Sequence, residues 1–425
     1  MILALLTPMS HSKIISGIDI GTSKITTIVG QHHQPEDRLN IIAVSSVPTN
    51  GFRKGQIINL EEATRTIIDS VESAERMAGF SINQALVSIT APHLESVNSQ
   101  GVITIGNPNG QIIPDDVDRV IEASKAISIP PGKEIFHVIP RTYTVDHQEG
   151  ILDPISMSGL QLETESHLIL ASTSSLSNLK KCLDDAGINP IATIYSGLAT
   201  AKATLTPTEK ELGVALIDIG GSLTTVTIYL ENSPAFSTVL PIGGNNVTND
   251  LAIGLRMSLE DTEKIKLRLG RISENKKFED EIDLSDFGLS DNSSKKISYQ
   301  TAVNGIIQPR LEELFSLLYQ KITQSGLANS IPAGIVLTGG GSLTVCAKEI
   351  CNQNIPLPLR IAYPPKIGGI VDDIITPAYT TAIGLILYGL EENLPKRKSK
   401  STKKTSVSFT NLFSKVKSLL EPLLP

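Results

Sequence analysis

Two stretches roughly 200 residues apart do most to limit what this chain can fold into. They are "GIDIGTSKITTIVG", Gly17 to Gly30, and "VALIDIGGSLTTVTIYL", Val214 to Leu230. Each is an apolar run, then Asp-Ile-Gly, a small-polar turn and a β-branched run. Glycine and small polar residues supply the turn, and Thr, Ile and Val suit strands, so each reads as strand, tight turn, strand. An ordinary hairpin carries its charge in the turn. Here Asp19 and Asp218 sit inside apolar strands, just before it. That pattern brings turn N–H groups and one carboxylate to something outside the chain, and an anion such as a phosphate fits best. Two copies predict two related halves whose hairpins face each other and grip a phosphate chain from both sides. Asp19 and Asp218 would then hold a hydrated Mg²⁺, which takes few carboxylates and keeps its waters.

A third segment, "AGIVLTGGGSLTVCAKEI" from Ala333 to Ile350, runs an apolar strand into Gly339, Gly340 and Gly341. Leu343, Ala347 and Ile350 are spaced for one face of a helix directly after the glycines. Such a strand–turn–helix lets a nucleoside lie against the backbone near a helix N-terminus. Elsewhere, helical patterns alternate with strands. Asn59 is placed to cap a helix whose first turn is acidic, and Gly187 to end another. The stretch from Val87 to Leu170 reads as several short strands and a capped helix, a small α+β unit set into the first half. Ser273 to Lys296 is charged and polar, an exposed loop or short hairpin.

Charge is unevenly placed. The net charge is −7, yet from Leu394 onward there are eight Lys or Arg and one acid, Glu421, leaving the body at −14. An acidic body argues against nucleic-acid binding, and the basic tail points to a local attraction to something anionic. Cys182, Cys346 and Cys351 lack metal-ligand spacing and suit a reducing cytoplasm. The seven histidines are scattered and read as surface or core residues. No run is long and apolar enough for a transmembrane helix. "MILALLTPM" lacks the features of a signal peptide, and a start at Met9 after an upstream extension is the plain reading.

The three glycine-bearing elements together resemble the actin–Hsp70–sugar-kinase ATPase superfamily. Within it, the body from about Ile14 to Gly389 resembles the FtsA family of bacterial cell-division proteins. The residues that carry this resemblance are "GFRKGQIIN" (Gly51 to Asn59), "ESVNSQGVITI" (Glu95 to Ile105), "HVIPRTYTVDHQEGILDPISMSGLQLE" (His137 to Glu163) and "TPAYTTAIGLILYG". The resemblance implies an α/β, actin-like two-lobed fold, with duplicated ribonuclease-H-like domains and an FtsA-type inserted α+β subdomain. It also implies ATP and Mg²⁺ as cofactors, and Glu263 and Lys266 of "DTEKIKLRLG" as nucleotide contacts. Their i, i+3 spacing sets them side by side on one helix face; on the residues alone, an exposed surface ion pair is the preferred reading. The nucleotide set is Asp19, Gly21, Thr22, Ser23 and Lys24; Asp218, Gly220, Gly221 and Ser222; Gly243 and Gly244; Glu263 and Lys266; and Gly339, Gly340, Gly341 and Ser342. Asp19 and Asp218 are the metal residues, acting through water.

The second hairpin departs from the family pattern. Ser222 and Leu223 replace Gly-Thr, and Thr225 stands where an Asp is expected. The missing carboxylate favours ATP binding over turnover, at most a weak ATPase, and no catalytic residue is assigned.

At the C-terminus, Phe409, Leu412, Phe413, Val416, Leu419 and Leu420 form an unbroken helical stripe. With Lys415 and Lys417 beside it and the basic run Lys396 to Ser408 before it, this reads as an in-plane anchor to anionic inner-membrane lipids. The resemblance implies a peripheral protein on the cytoplasmic face of the membrane at the division site. There it would polymerise with itself and bind the FtsZ C-terminal tail, with later division proteins meeting the inserted subdomain. Arg310 and Glu313 of "GIIQPRLEELF" are the FtsZ contacts it suggests. The expected organisation is an extension over 1–12, a first lobe over 13–86 and 171–211, and the insert over 87–170. A second lobe spans 212–245 and 330–392, with its smaller FtsZ-docking subdomain over 246–329. A disordered basic linker covers 393–408 and the anchor helix 409–425. A pilus-assembly ATP-binding protein, or a kinase or phosphatase of the same superfamily, are the alternative readings.

Overall fold

The computed structural model describes residues 12–33, 37–92, 94–107, 109–272, 281–284, 296–370 and 373–391. The basic linker and the apolar stripe from Phe409 to Leu420 lie outside the described residues, as does the segment before Ser12.

The first lobe opens with β1 (Ser12–Ile20), β2 (Lys24–His33) and β3 (Arg38–Pro48), a small hairpin of β4 (Phe52–Arg53) and β5 (Gln56–Ile57), then α1 (Leu60–Ala78) and β6 (Gln84–Ile89). Helix α1 starts where the sequence marks it. Asn59 Oδ1 accepts from the Glu61 and Glu62 N–H groups, and Gly79 closes the far end in a left-handed conformation. Because β6 carries buried Val87, Ser88 and Ile89 in the first sheet, the insert begins after Ile89 and not at Val87.

The insert holds β7 (Glu95–Thr104), α2 (Pro114–Ser124), β8 (Lys133–Val145), β9 (Gln148–Ile151) and β10 (Gln161–Ser172). Its sheet runs β7-β10-β8-β9, with strands longer than expected. Pro140 does not end β8 because it sits where the register shifts, a place that tolerates a missing N–H. A core of its own is built on Ile105, Ile112, Val120, Tyr143, Val145 and Leu162. The chain returns through α3 (Thr173–Asp185), β11 (Asn189–Tyr195), α4 (Ser196–Thr204) and α5 (Pro207–Leu212).

The second lobe contains β12 (Val214–Ile219), β13 (Thr224–Leu230), β14 (Ser233–Leu240), α6 (Gly244–Leu255), α7 (Leu259–Ile272), β15 (Glu281–Asp283), β16 (Lys296–Ser298), α8 (Gln308–Gln324), β17 (Ile335–Thr338), α9 (Ala347–Asn354) and β18 (Leu359–Ile361). The described residues end with β19 (Gly368–Gly369) and α10 (Thr380–Glu391). A wide π-helical segment, Gln300–Ile307, leads into α8. Pro309 has no N–H to offer the preceding turn, and the Gln308 N–H reaches back five residues to Val303 O.

The duplication is explicit in the sheets. The first runs β11-β6-β1-β2-β3-β19 and the second β14-β13-β12-β17-β18. In each, an antiparallel meander is extended by parallel strands beside its first strand. The last described elements depart from the expected partition, in which 330–392 belongs to the second lobe. Strand β19 pairs with β3, and α10 packs on β1, β2, β6 and α4, all first-lobe elements. Apolar Ile383, Leu385 and Ile386 make that face sticky enough to bring the chain back across.

Two histidines prove to be structural. His137 on β8 accepts from the Tyr195 N–H at 2.9 Å, and burial pulls its pKa down to about 4. His167 on β10 bonds Asn98 Oδ1 at 2.7 Å and Ser237 Oγ at 3.0 Å, tying the insert to β14 of the second lobe. Burial, aided by the Arg141 charge, draws its pKa down to about 3.

Candidate nucleotide-binding site

Both hairpins use the same register. Asp19 pairs with Thr26 across the meander and lies beside Ser88 of the parallel strand. Asp218 pairs with Thr225 and lies beside Thr338. Each turn needs its glycine: a Cβ on Gly21 would come within 2.6 Å of Lys24 O, and one on Gly220 within 2.9 Å of Leu223 O. The turns meet each other. The Ser222 N–H donates to Thr22 Oγ1 at 2.8 Å, and Gly221 packs so closely on Ser23 that a Cβ would approach within 2.8 Å.

Leu223 explains part of the departure seen in the sequence. It is only 3% exposed and lies over Gly55 in the β4–β5 turn, where a Cβ would sit 2.4 Å from its Cδ1. The residue in the family's Thr position therefore forms an apolar bridge from the second lobe to the first. Thr225 is buried in the strand opposite Asp218.

The carboxylates carry strained electrostatics. Burial raises the pKa of Asp19, while the Ser88 hydroxyl, donating at 2.5 Å, and the Lys24 charge pull it back. Burial, reinforced by the negative charge of Asp19, pushes Asp218 up to about 6. The hydroxyls of Thr200 and Thr381, donating at 3.1 and 3.2 Å, oppose that rise. Lys24 is itself held low by burial, with its Nζ 3.1 Å from the centroid of the Tyr379 ring.

The triple-glycine element differs from expectation. No α-helix springs from the glycines. They open a single tight turn, Gly340–Leu343, and α9 begins only at Ala347. The Ser342 N–H and Oγ both bond back to Gly339 O, and Cys346 takes a left-handed conformation before the helix starts. Leu343 is therefore off the helix and partly exposed, while Ala347 and Ile350 are buried as expected. Gly339 has φ +83°, and a Cβ on it would meet Asp218 Oδ1 at 2.2 Å. Gly341 packs on Ile219, the residue after Asp218.

Gly243 and Gly244 lead into α6, whose first N–H groups bond the second hairpin: Gly244 N–H to Gly220 O at 2.9 Å and Asn245 N–H to Gly221 O at 2.7 Å. Lys266 and Glu263 form an ion pair of 2.7 Å, but not an exposed one. Lys266 is 6% exposed and also donates to Thr248 Oγ1 at 2.8 Å and Gly244 O at 3.1 Å. Gly244, Lys266 and Gly341 are thus neighbours, with Gly244 set where a Cβ would lie 3.6 Å from Lys266 Nζ and 3.7 Å from Gly341 Cα. Arg310 and Glu313 stand apart from this group on α8. Arg310 grips Asp250 of α6 with Nε at 2.5 Å and a second nitrogen at 3.1 Å, and also pairs with Glu313.

Four residues at the site escape the sequence reading: Ser88, Thr200, Tyr379 and Thr381. Ser88 is a lone hydroxyl in the apolar run of β6. Tyr379 and Thr381 lie in "TPAYTTA", a run of hydroxyls that interrupts apolar sequence across the start of α10 and was the available signal. Among the described residues no cluster of three or more His, Cys, Asp or Glu could hold a metal, and no helix is long and apolar enough to cross a membrane.

Comparison with known proteins bears on what this arrangement belongs to. Residues 91–170 match the family model described as the SHS2 domain inserted in FTSA, and residues 215–384 the one described as cell division protein FtsA. The chain is 37% identical over 410 residues to the cell division protein FtsA of Borreliella burgdorferi, covering 94% of this chain and 97% of the relative. Against FtsA of Pseudomonas aeruginosa identity is 34% over 385 residues, covering 90% and 91%, and against that of Bacillus subtilis 35% over 381 residues, covering 89% and 84%. Among solved structures, the PilM–PilN type IV pilus biogenesis complex is similar at TM-score 0.62 and 17% identity, covering 89% of this chain and 99% of that one. MreB5 of Spiroplasma citri bound to ADP is similar at TM-score 0.51 and 14% identity, covering 88% and 96%. These likenesses establish the two-lobed actin-like fold, and the sequence relatives go further: this chain belongs to the FtsA family of cell-division proteins.

Proposed function

We propose that this chain is a nucleotide-dependent membrane adaptor of cell division. It binds Mg-ATP between its two hairpins and polymerises on the cytoplasmic face of the inner membrane at the division site. The stripe Phe409, Leu412, Phe413, Val416, Leu419 and Leu420, with Lys415 and Lys417, lies in anionic lipid. The FtsZ tail docks on the 246–329 region near Arg310 and Glu313, and later division proteins meet the insert.

The observation that carries the nucleotide part is the meeting of the two hairpins with Asp19 and Asp218 at matching register positions and the Gly339 turn against Asp218. Turn N–H groups and Lys24 offer the donors that phosphates need. The two carboxylates fit Mg²⁺: they are hard oxygen donors, burial and then the Asp19 charge raise Asp218, and a cation held through water would relieve that repulsion. When bound, that ion neutralises phosphate charge. The chain's own residues do the rest. Ser88, Thr200 and Thr381 orient the carboxylates, and Gly244, Lys266, Glu263 and the Gly340–Ser342 turn form the wall suited to the nucleoside. A ligand that binds the closed lobes better than open ones shifts the population toward closure, and so toward the polymer. Many weak tail anchors on one polymer hold firmly by avidity.

Co-sedimentation on anionic liposomes with Mg-ATP and the host's FtsZ tests this, comparing the full chain with one ending at Asn393. The full chain should pellet and carry FtsZ with it, while the shortened chain does neither. If both stay in solution and FtsZ is ignored, the stripe is not an anchor and a pilus-type adaptor reading takes over.

A further inference from the structure

We infer that Tyr379 is a positioning residue that holds the Lys24 ammonium in place for the phosphates. The inference rests on the reading that the hairpins bind a nucleotide. Lys24 is the only basic residue from Gly21 to Lys24 or from Gly220 to Leu223, and it stands at the first position of β2. A lysine on a flexible stem is a poor point of attachment unless something fixes its head. Here the face of the Tyr379 ring does so, with Nζ 3.1 Å from its centroid. The ring is itself braced. Ser46 Oγ donates to the Tyr379 hydroxyl at 3.4 Å and is bonded at 2.9 Å to Thr26, the residue paired with Asp19.

The surrounding stretch reaches every other part of the cleft. Ala378 stands opposite Gly340, where a Cβ would lie 3.5 Å away. Thr380 is bonded by the Thr338 hydroxyl at 3.3 Å, and Thr381 donates to Asp218. Four consecutive residues, 378–381, therefore touch the glycine turn, the first hairpin's cation, the strand beside Asp218 and Asp218 itself. Because the last two of them open α10, which packs on the first lobe, they can hold Lys24 in register with both lobes.

The test measures Mg-ATP affinity of the full chain by calorimetry for wild type, Tyr379→Phe, Tyr379→Leu, Lys24→Met and the Tyr379→Leu/Lys24→Met double variant. Phenylalanine keeps the π face and should stay within about twofold of wild type, while leucine should weaken binding roughly tenfold. In the Lys24→Met background the leucine substitution should add less than about twofold, since its partner is gone. If leucine binds like wild type, or weakens binding equally with and without Lys24, the inference is overturned. Should Tyr379→Leu fail to fold, Tyr379→Gln removes the ring while keeping a polar end for Ser46, and the same outcomes apply. A wild-type chain that binds no Mg-ATP sinks the underlying nucleotide reading instead, which is a separate result.

Discussion

Lys24 and Leu223 occupy the same place in two copies of one hairpin, five residues after Asp19 and Asp218. In the first lobe that position carries a cation, which with the Ser88 hydroxyl helps a buried carboxylate stay ionised. In the second it carries an apolar side chain laid across the gap onto Gly55. Among the described residues Asp218 has only the hydroxyls of Thr200 and Thr381 to help it, and its pKa rises to about 6. The strand beside each carboxylate differs too. Buried Ile89 stands next to Ile20, whereas the chain after Thr338 is Gly339, whose bare Cα makes room for Asp218. One duplicated backbone has thus divided its labour: the first turn handles charge, and the second handles closure and close approach.

Substitutions can break this comparison or make it sharper. The largest effect is expected at Gly339. With φ at +83° and Asp218 Oδ1 in the way, Gly339→Ala should destabilise the fold by at least about 3 kcal/mol in chemical denaturation. A change under about 1 kcal/mol would mean the second carboxylate moves freely and the asymmetry is shallow.

Asp218→Asn acts in the opposite direction. The folded pKa near 6 lies above the ordinary aspartate value of 3.8, so the ionised carboxylate disfavours the fold at neutral pH. In EDTA at pH 7.5 the variant should gain about 2 to 3 kcal/mol. Between pH 6 and 4 the folded wild type takes up a proton that the unfolded chain does not, so its stability rises and the variant's advantage disappears by about pH 4. Asp19→Asn should gain less, because Ser88 and Lys24 already compensate; equal gains would erase the difference between the lobes. Calorimetric melting across that pH range reads both.

Leu223→Ala should cost about 2 kcal/mol through its lost apolar contact. Because that contact crosses the lobes, protease cleavage in the β4–β5 turn around Gly55 should accelerate as well. Thr22→Ala is the smallest change. It leaves the Ser222 N–H without its acceptor and should cost about 1 kcal/mol by thermal melting. If Thr22→Ala proves larger than Leu223→Ala, the polar contact and not the apolar bridge holds the turns together.

Sequence spacing made much of this legible. A β-branched run, Asp before the turn and glycine at the bend specify each hairpin locally, and Asn59 marks the start of α1 because capping is a contact between near neighbours. The triple glycine misled for a local reason of its own. Ser342 turns back onto Gly339 and Cys346 adopts a left-handed conformation, so the helix waits for Ala347 despite the apolar spacing that begins at Leu343.

The chain alone therefore determined two duplicated Asp-Ile-Gly hairpins, the acidic body with its basic tail, and the i, i+3 pairing of Glu263 and Lys266, since all of these can be read from the sequence itself. Only the tertiary structure decided that Lys266 is buried beside Gly244, that α10 returns to the first lobe, and that Leu223 bridges to Gly55. It alone set Tyr379 over Lys24. Those contacts join residues as much as hundreds of positions apart, and their partners are selected by packing and by the burial of charge, which no local pattern encodes.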